Sequence, residues 1–328
     1  MTLVARAASH SDVGLHRPGN EDACLVQPPL YAVADGMGGA QAGEVASTLA
    51  VATLGERVAA GDALAQAATA ANAKIYEQAA ADPEHSGMGT TLTAVCLRGS
   101  RAEVVHVGDS RLYLLRDGVL EQVSDDHSLV REWLRAGTIT SDEAAASRYR
   151  NVLTRALGTE PDVTLDTRTL ELRRGDLLVL STDGLHSLVP DVDIGAVLAA
   201  GGDLEVRARR LVSEAKNRGG YDNITVVLVR LDEEGEEPAE DETQSDAAAG
   251  DDEPAASAPP PASATAASAT AAPPPAAPAS LMRGVVEAPV ASARRQRRRR
   301  FALATALLAV AGLVALAIVA YYTGWLAV

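Results

Sequence analysis

The chain contains, at residues 22–35, the stretch DACLVQPPLYAVAD, in which two apolar runs are separated by a pair of prolines. The runs 23–26 and 30–34 have the length of short strands, and adjacent prolines favour a tight turn. This stretch predicts a β-hairpin. Because the two strands of a hairpin run in opposite directions, Asp22 and Asp35 are expected at the same end of it.

Residues 43–80 form an alanine-rich stretch that is broken near Gly61. The apolar residues Val45, Leu49 and Ala52 recur about once per helical turn. We therefore expect two helices, packed on the sheet that contains the hairpin.

Short apolar runs separated by turns dominate the rest of the first 231 residues. No helical pattern interrupts the first four of these runs, so they are expected to form an antiparallel meander. A polar insertion of helical character follows at 126–150. Strands are expected at 91–98, 102–107, 111–116, 119–123, 163–172, 177–182 and 224–229, and a helix at 203–216. The pattern predicts an α+β fold, with two stacked antiparallel sheets and helices outside.

Four aspartates stand where an apolar run meets a turn: Asp35, Asp109, Asp183 and Asp222. Asp35 and Asp183 follow their runs whereas Asp222 precedes one, so antiparallel neighbours bring these side chains to one edge. Hard divalent cations such as Mg²⁺ and Mn²⁺ prefer oxygen ligands. We therefore predict a cation site at this edge. A single Asp in a turn is more often ordinary turn chemistry, and we interpret Asp117 in that way.

Carboxylate-held cations lower the pKa of water, position it, and neutralise a phosphoryl group during displacement. The pattern therefore favours hydrolysis of a phosphate ester. Arg17 lies five residues before Asp22, and its guanidinium is suited to hold a phosphate by two hydrogen bonds. A surface ion pair is the competing interpretation of Arg17. Neither a GxSxG nor a GxxxxGK motif occurs, so a catalytic serine triad and a phosphate-binding loop have no support.

The formal net charge of −15 is unevenly distributed along the chain. Residues 232–253 hold twelve Asp or Glu and no basic residue, and residues 283–300 hold seven Arg and one Glu. Subtraction from the totals of 29 basic and 44 acidic residues leaves 22 and 31 for residues 1–231, a net charge of −9. This balance argues against nucleic-acid binding, which needs a basic face. Cys24 and Cys96 lie in apolar runs, and their spacing indicates neither a disulfide framework nor a zinc site.

The C-terminal part differs in composition from the first 231 residues. Residues 232–293 are acidic and then rich in Pro, Ala, Ser and Thr, which predicts a disordered linker. Six arginines within the basic segment 294–300 precede an uncharged apolar stretch. We predict a transmembrane helix at 301–322 and a short external tail at 323–328. The positive-inside rule then places the domain at 1–231 in the cytoplasm, and its N-terminus lacks a signal-peptide pattern.

Six short motifs occur in a fixed order along the chain. They are RPGNED at 17–22, ADGMGG at 34–39, GMGTT at 87–91, GDSR at 108–111, TDG at 182–184 and DN at 222–223. With these motifs, residues 1–231 resemble the PPM/PP2C metal-dependent serine/threonine phosphatases. The resemblance is closest to bacterial members that oppose membrane serine/threonine kinases, several of which carry a C-terminal membrane anchor. It implies a β-sandwich flanked by helices.

The resemblance also implies a set of metal ligands. Asp35 would bridge two Mn²⁺ or Mg²⁺ ions, and the carbonyl oxygen of Gly36 would bind one of them. Asp183 and Asp222 would complete the coordination of the other. Asp109 would, with Asp183, hold the third ion that bacterial members contain.

Further roles follow from the same resemblance. Arg17 would hold the substrate phosphate, and Glu21 and Asp22 would orient water molecules on the metal ions. Asn223 would support the adjacent aspartate. Arg17, Asp22 and Asp35 are thus the predicted catalytic residues.

The chain departs from the eukaryotic family pattern at one position. Those members have a histidine, proposed as a general acid, where this chain has Met37. The proton donor to the leaving alcohol would then be a water on the metal or His127. The insertion at 126–150 corresponds to the family's flap, which affects substrate choice.

We therefore expect an Mn²⁺- or Mg²⁺-dependent phosphatase that hydrolyses phosphoserine and phosphothreonine by direct attack of water, at the cytoplasmic face of the cell membrane. Its expected partners are phosphorylated proteins, among them membrane serine/threonine kinases and their substrates. The alternatives are a membrane-tethered pseudophosphatase that binds phosphoproteins without turnover, and a hydrolase of small phosphate esters.

Overall fold

Alternate residues of the central strands face different layers in the computed structural model, which describes residues 3–38 and 41–233. In the strand Leu30–Met37, Leu30 and Ala32 pack towards helices while Tyr31 and Val33 face a second sheet. Because both faces of this strand are buried, its sequence is almost continuously apolar. The same alternation recurs in the other central strands and builds a layered sandwich.

Eleven strands lie in the described residues. In chain order they are β1 (Leu3–Asp12), β2 (Asp22–Gln27), β3 (Leu30–Met37), β4 (Gly89–Thr90), β5 (Leu92–Arg98), β6 (Arg101–Val107), β7 (Arg111–Arg116), β8 (Val119–Gln122), β9 (Asp166–Glu171), β10 (Leu177–Ser181) and β11 (Ile224–Glu233). One sheet has the order β1-β11-β10-β7-β8, and the other has the order β2-β3-β5-β6-β9 with β4 paired to β3. Every pairing is antiparallel.

Seven α-helices lie in the described part of the chain. They are α1 (Ala42–Ala59), α2 (Leu64–Ala81), α3 (Leu129–Arg135), α4 (Ser141–Ala145), α5 (Asp183–His186), α6 (Asp191–Ala199) and α7 (Leu204–Asn217). Five of them, α1, α2, α5, α6 and α7, cover the outer faces of the two sheets. One apolar cluster joins α1 and α2 to the sheet of β2, a second joins α5, α6 and α7 to the sheet of β1, and a third lies between the sheets. The predicted α+β fold of two antiparallel sheets flanked by helices is confirmed.

The prediction of one continuous meander was wrong at a single point. β5 pairs with β6 and β7 pairs with β8, as expected for hairpins, but β6 and β7 belong to different sheets. The chain crosses between the sheets at residues 108–110. Gly108 makes this crossing with φ +105°, and a Cβ there would lie only 2.6 Å from the Cβ of Thr91. The turn is therefore tight enough to require glycine.

The predicted helix at the start of the alanine-rich stretch is present as α1 and packs on the sheet. Val45 and Leu49 are partly buried against the same apolar cluster and Ala52 is exposed, whereas the fully buried face carries Ala46 and Ala50. Small side chains let the helix backbone approach the sheet closely, so the alanines pack inward although their hydrophobicity is lower. Periodicity found the helix and missed which of its two apolar faces is covered.

Some elements of the structure were not predicted, and some predicted segments lie outside the described residues. β1, which pairs with β11 along its whole length, and the helices α5 and α6 were missed. β11 continues to Glu233, two residues past the predicted domain end at 231. No helix in the described ranges is long and apolar enough to cross a bilayer. The predicted linker, basic segment, transmembrane helix and tail at 234–328 lie outside the described residues.

Candidate metal-dependent active site

The hairpin β2–β3 places two aspartates opposite each other. Asp22 and Asp35 are direct partners in the strand register. Asp22 Oδ2 accepts hydrogen bonds from the hydroxyls of Thr182 at 2.8 Å, directly after β10, and of Thr225 at 2.7 Å, in β11 of the other sheet. The carboxylate of Asp22 therefore joins the two sheets at this edge.

The backbone of Asp35 is held by the threonines of the GMGTT motif. Its N–H donates to Thr91 Oγ1 at 2.9 Å, and its carbonyl oxygen accepts from Thr90 Oγ1 at 2.8 Å. Thr91 Oγ1 is in turn hydrogen-bonded to Ser110 Oγ at 2.7 Å. The orientation of Asp35 is thus fixed by β4, β5 and the turn that carries Asp109.

Gly36 lies at a close approach between β3 and the start of α1. Its N–H donates to the carbonyl of Glu21 at 3.1 Å, and a Cβ at Gly36 would overlap the backbone of Gly43. The Glu21 carboxylate lies against Gly43, so a side chain at Gly43 would displace it. Because neither glycine has a side chain, the carboxylate of Glu21 can lie close to the backbone of Gly36, next to Asp35.

The other predicted ligands come from chain ends that meet at the same edge. Asp109 lies in the crossing between β6 and β7, Asp183 is the first residue of α5 directly after β10, and Asp222 precedes β11. All three line one cleft of about 430 Å³ together with Asp35. The cleft is further lined by Arg17, Glu21, Gly36, Met37, Asn151 and Asn223. Asp22 is not among its lining residues.

Asn223 contacts Asp222 and also holds a second part of the site. Its backbone N–H donates to Asp222 Oδ1 at 2.9 Å, but its side chain holds the loop before β2. Asn223 Oδ1 accepts a hydrogen bond from the N–H of Glu21 at 2.8 Å, and Asn223 Nδ2 donates to the carbonyls of Val13 and Gly19 at 2.9 Å each. The side chain therefore fixes the loop that carries Arg17.

Arg17 forms an ion pair at the edge of the cleft. Its Nη2 lies 2.8 Å from Asp222 Oδ2, and the Arg17 side chain is 44% exposed. The pair brings the guanidinium to the carboxylate cluster while leaving donors free to face a ligand. Both interpretations of Arg17, ion pair and phosphate contact, are compatible with this position.

The aspartates repel one another electrostatically. Burial raises the pKa of Asp35, and the charges of Asp22 and Asp183 raise it further. Burial and Asp183 likewise raise the pKa of Asp109, and burial and Asp222 raise that of Asp183. Oδ1 of Asp22 and Oδ1 of Asp183 are buried without a hydrogen-bond partner in the described residues. Carboxylates this close are costly unless a cation compensates them, so the residues fit a divalent metal ion.

Among the described residues, no three His, Cys, Asp or Glu side chains are arranged so that they could hold a metal ion by themselves. Mg²⁺ keeps several of its waters and uses one or two carboxylates, so an open carboxylate edge suits it better than a cage. The predicted ligand set, in which Asp35 would be shared and the carbonyl of Gly36 would bind a single ion, would use few side chains per ion.

A family model described as Protein phosphatase 2C matches residues 6–201. The chain belongs to the protein phosphatase 2C family. The family is Mn²⁺- or Mg²⁺-dependent, which agrees with the donor set of the cleft.

The relatives of this phosphatase 2C domain are bacterial serine/threonine phosphatases. PstP of Mycobacterium tuberculosis is 44% identical over 235 residues, which cover 70% of this chain and 45% of PstP. The phosphatase stp of Listeria monocytogenes is 38% identical over 241 residues, which cover 69% of this chain and 96% of stp. The match thus spans less than half of PstP and nearly all of stp.

A solved structure shows the same fold. The catalytic domain of PstP in complex with 2 manganese ions aligns with a TM-score of 0.66 at 41% identity, covering 71% of this chain and 100% of that one.

His127 is poorly placed for the proton transfer suggested for this phosphatase 2C domain. It is 1% exposed, and its Nδ1 accepts from the N–H of Gly108 at 3.1 Å. Its Nε2 lies 3.2 Å from Asp166 Oδ2, and Arg155 holds the same carboxylate at 2.7 Å. Both ring nitrogens are engaged, so His127 supports the turn before Asp109 and does not face the cleft.

Sequence reasoning missed the threonines of the site. Thr182 stood in the quoted TDG motif and Thr90 and Thr91 in GMGTT, but none was given a role. Thr225 interrupts the apolar run of β11 with a hydroxyl that is fully buried. A buried hydroxyl in an apolar strand needs a hydrogen-bond partner, and that signal was present in the sequence.

Proposed function

We propose that the chain hydrolyses phosphoserine and phosphothreonine in proteins, with Mn²⁺ or Mg²⁺ bound by the cleft. The convergence of Asp35, Asp109, Asp183 and Asp222 in one cleft with Arg17 at its edge carries this proposal. The names of the bacterial relatives, serine/threonine phosphatases, support the substrate class.

The protein's own residues bind and orient the substrate. Arg17 has donors beyond the one that contacts Asp222, so it can hold a phosphoryl oxygen while Asn223 keeps its loop in place. Asp22 does not line the cleft and would act from behind the ligands: Thr182 and Thr225 hold one of its oxygens, and the other is buried without a partner in the described residues and is available to accept from a water on the metal. When bound, the metal ions supply charge neutralisation at the phosphoryl group and a lower pKa for water.

The location of the activity is part of the proposal. The arginine-rich segment 294–300 and the apolar stretch 301–322 support a tether at the cytoplasmic face of the membrane. A linker of residues 232–293 would let the domain reach neighbours on that surface, so membrane serine/threonine kinases and their substrates are the proposed targets. Fractionation of cells that express the chain with and without residues 301–328 tests this tether, because the truncated chain should leave the membrane fraction.

The activity is tested by phosphate release from a phosphothreonine peptide by the full chain, with Mn²⁺ or with EDTA. Asp183→Asn should abolish the Mn²⁺-dependent release because it removes a ligand charge. Asp117→Asn is the matched control, since Asp117 is exposed in the β7–β8 turn with φ +53°, a conformation that asparagine adopts readily. Metal-dependent peptide binding without any phosphate release would support the pseudophosphatase alternative instead.

A further inference from the structure

A second cavity adjoins the carboxylate cleft on the side of α3. It has a volume of about 200 Å³ and shares Asp109, Asn151 and Asp183 with the cleft. One water molecule needs roughly 10–15 Å³ of such space, so the cavity has room for a polar group of a ligand. A group bound there would lie beside a phosphoryl group bound in the cleft.

Part of the charge in this cavity is already balanced. Arg111 holds Asp126 through bonds of 2.9 Å from Nε and 2.7 Å from Nη2, and Gln122 donates to the same carboxylate at 2.8 Å. Burial raises the pKa of Asp126, but the Arg111 hydrogen bonds outweigh it and the net pKa is lowered, with a small contribution from Arg131. Asp126 is therefore ionised, and Arg111 and Gln122 already occupy its carboxylate.

Two arginines in the wall of the cavity have no such partner. Neither Arg131 nor Arg150 forms a side-chain ion pair or hydrogen bond with any residue in the described ranges, and Nε of Arg131 is buried without an acceptor. By contrast, Arg135, one turn further along α3, pairs with Asp125 at 3.3 Å. A buried donor without an acceptor costs free energy, and a ligand that accepts a hydrogen bond from it removes this cost.

We propose that Arg131 and Arg150 bind an oxyanion of the substrate that flanks the phosphorylated residue. Guanidinium groups favour carboxylates and phosphates because they present several donors in one plane. The oxyanion would be the carboxylate of a nearby Asp or Glu or a second phosphate. This inference rests on the proposed function, since it assigns the substrate preference of the same site.

The test compares phosphothreonine peptides that differ in one flanking residue. In the first series, a Glu is placed at each position in turn on both sides of the phosphothreonine. In the second series, a second phosphothreonine replaces the Glu at the position that gives the largest effect. The measured quantity is the ratio of kcat/KM for each anionic peptide to kcat/KM for its Gln or Thr counterpart. A charge-assisted hydrogen bond at a partly exposed site is worth roughly tenfold, so we expect a ratio of about ten.

Arg131→Gln and Arg150→Gln should each reduce this ratio, and the double variant should bring it close to one. Arg135→Gln is the matched control on the same helix and should keep the wild-type ratio. The two peptide series distinguish the carboxylate from the second phosphate. A wild-type ratio near one in both series, or a ratio that survives the double variant, would overturn the inference.

A binding measurement separates this inference from the proposed function. Peptides with a non-hydrolysable phosphonate in place of the phosphate are titrated into the Mn²⁺-loaded chain and followed by fluorescence anisotropy. The anionic peptide should bind about tenfold more tightly than its neutral counterpart, and the double variant should lose the difference. If no peptide is hydrolysed, the proposed function fails, but the binding measurement still decides whether the anionic peptide is preferred. Equal binding of both peptides refutes the anion site.

Discussion

Replacement of Asn223 by alanine should weaken both the fold and the active site. The Asn223 side chain is 4% exposed and joins the start of β11 to the loop before β2 through three hydrogen bonds of 2.8–2.9 Å. Alanine removes all three and leaves the N–H of Glu21 and the carbonyls of Val13 and Gly19 without these partners. The loop that carries Arg17 is then no longer fixed.

The magnitude follows from the number of bonds. Each contributes about 0.5–1.5 kcal/mol net, so Asn223→Ala should lower the free energy of unfolding by about 3 kcal/mol. With a urea dependence of roughly 2–3 kcal/mol per molar, the midpoint should fall by about 1 M. Misplacement of a substrate-binding group can cost roughly 100-fold, so kcat/KM should fall between about tenfold and 100-fold.

The assay is urea unfolding in EDTA, which removes any contribution from bound metal, followed by phosphopeptide kinetics in Mn²⁺. Asn217→Ala is the matched control, because Asn217 is exposed at the end of α7 and has no side-chain hydrogen bond in the described residues. It should leave both readouts near wild type. An unfolding free energy for Asn223→Ala within about 0.5 kcal/mol of wild type would refute the reasoning.

Three further predictions test single features of the site. Arg17→Lys keeps the charge but loses the planar fork, so kcat/KM for a phosphopeptide should fall roughly tenfold, whereas Arg57→Lys at a surface ion pair should change little. Gly36→Ala places a Cβ against backbone atoms and should lower the free energy of unfolding by about 1–3 kcal/mol, while Gly195→Ala inside α6, where a Cβ meets only ordinary contacts, should raise it by about 0.5–1 kcal/mol in urea melts. Burial, reinforced by the neighbouring guanidinium of Arg111, lowers the pKa of His186 to about 3, so the unfolded chain binds the proton more tightly. The contribution of His186 to stability should therefore be complete above about pH 6.5 and should be lost as the pH drops below it. The difference in unfolding free energy between wild type and His186→Gln, followed against pH, isolates this contribution from that of the buried aspartates, whose raised pKa values act in the opposite direction. A difference that does not change with pH would contradict the assignment.

The hairpin β2–β3 and the placement of the aspartates could be predicted from local patterns. Two apolar runs around a proline pair allow few alternatives, and residues at the two ends of a hairpin are neighbours by geometry. The pairing of Asp22 with Asp35 in the strand register follows directly. Local chemistry also identified the break between α1 and α2 near Gly61.

The sandwich's crossings could not be predicted in this way. β7 enters the other sheet through a turn at Gly108, which has a positive φ and where a side chain would collide with Thr91, a residue distant in sequence. β1 is half-buried along most of its length and lacks a clear alternation, so its pairing with β11 is a property of the assembled sheet. The same limit applies to the covered face of α1, which is decided by how closely the helix can approach.

The carboxylate cluster depends both on local sequence patterns and on the assembly of the two sheets. Asp22 belongs to one sheet, and the hydroxyls that hold it come from Thr225 in the other sheet and from Thr182 directly after β10 in that sheet. The contacts that orient the site are therefore also contacts that align the two sheets at this edge. The carboxylates repel one another, so their repulsion destabilises the aligned sheets, and a bound cation would remove this cost. Metal binding should consequently stabilise the sandwich at the edge where the catalytic residues lie, so that folding and the capacity for catalysis are coupled through the same side chains.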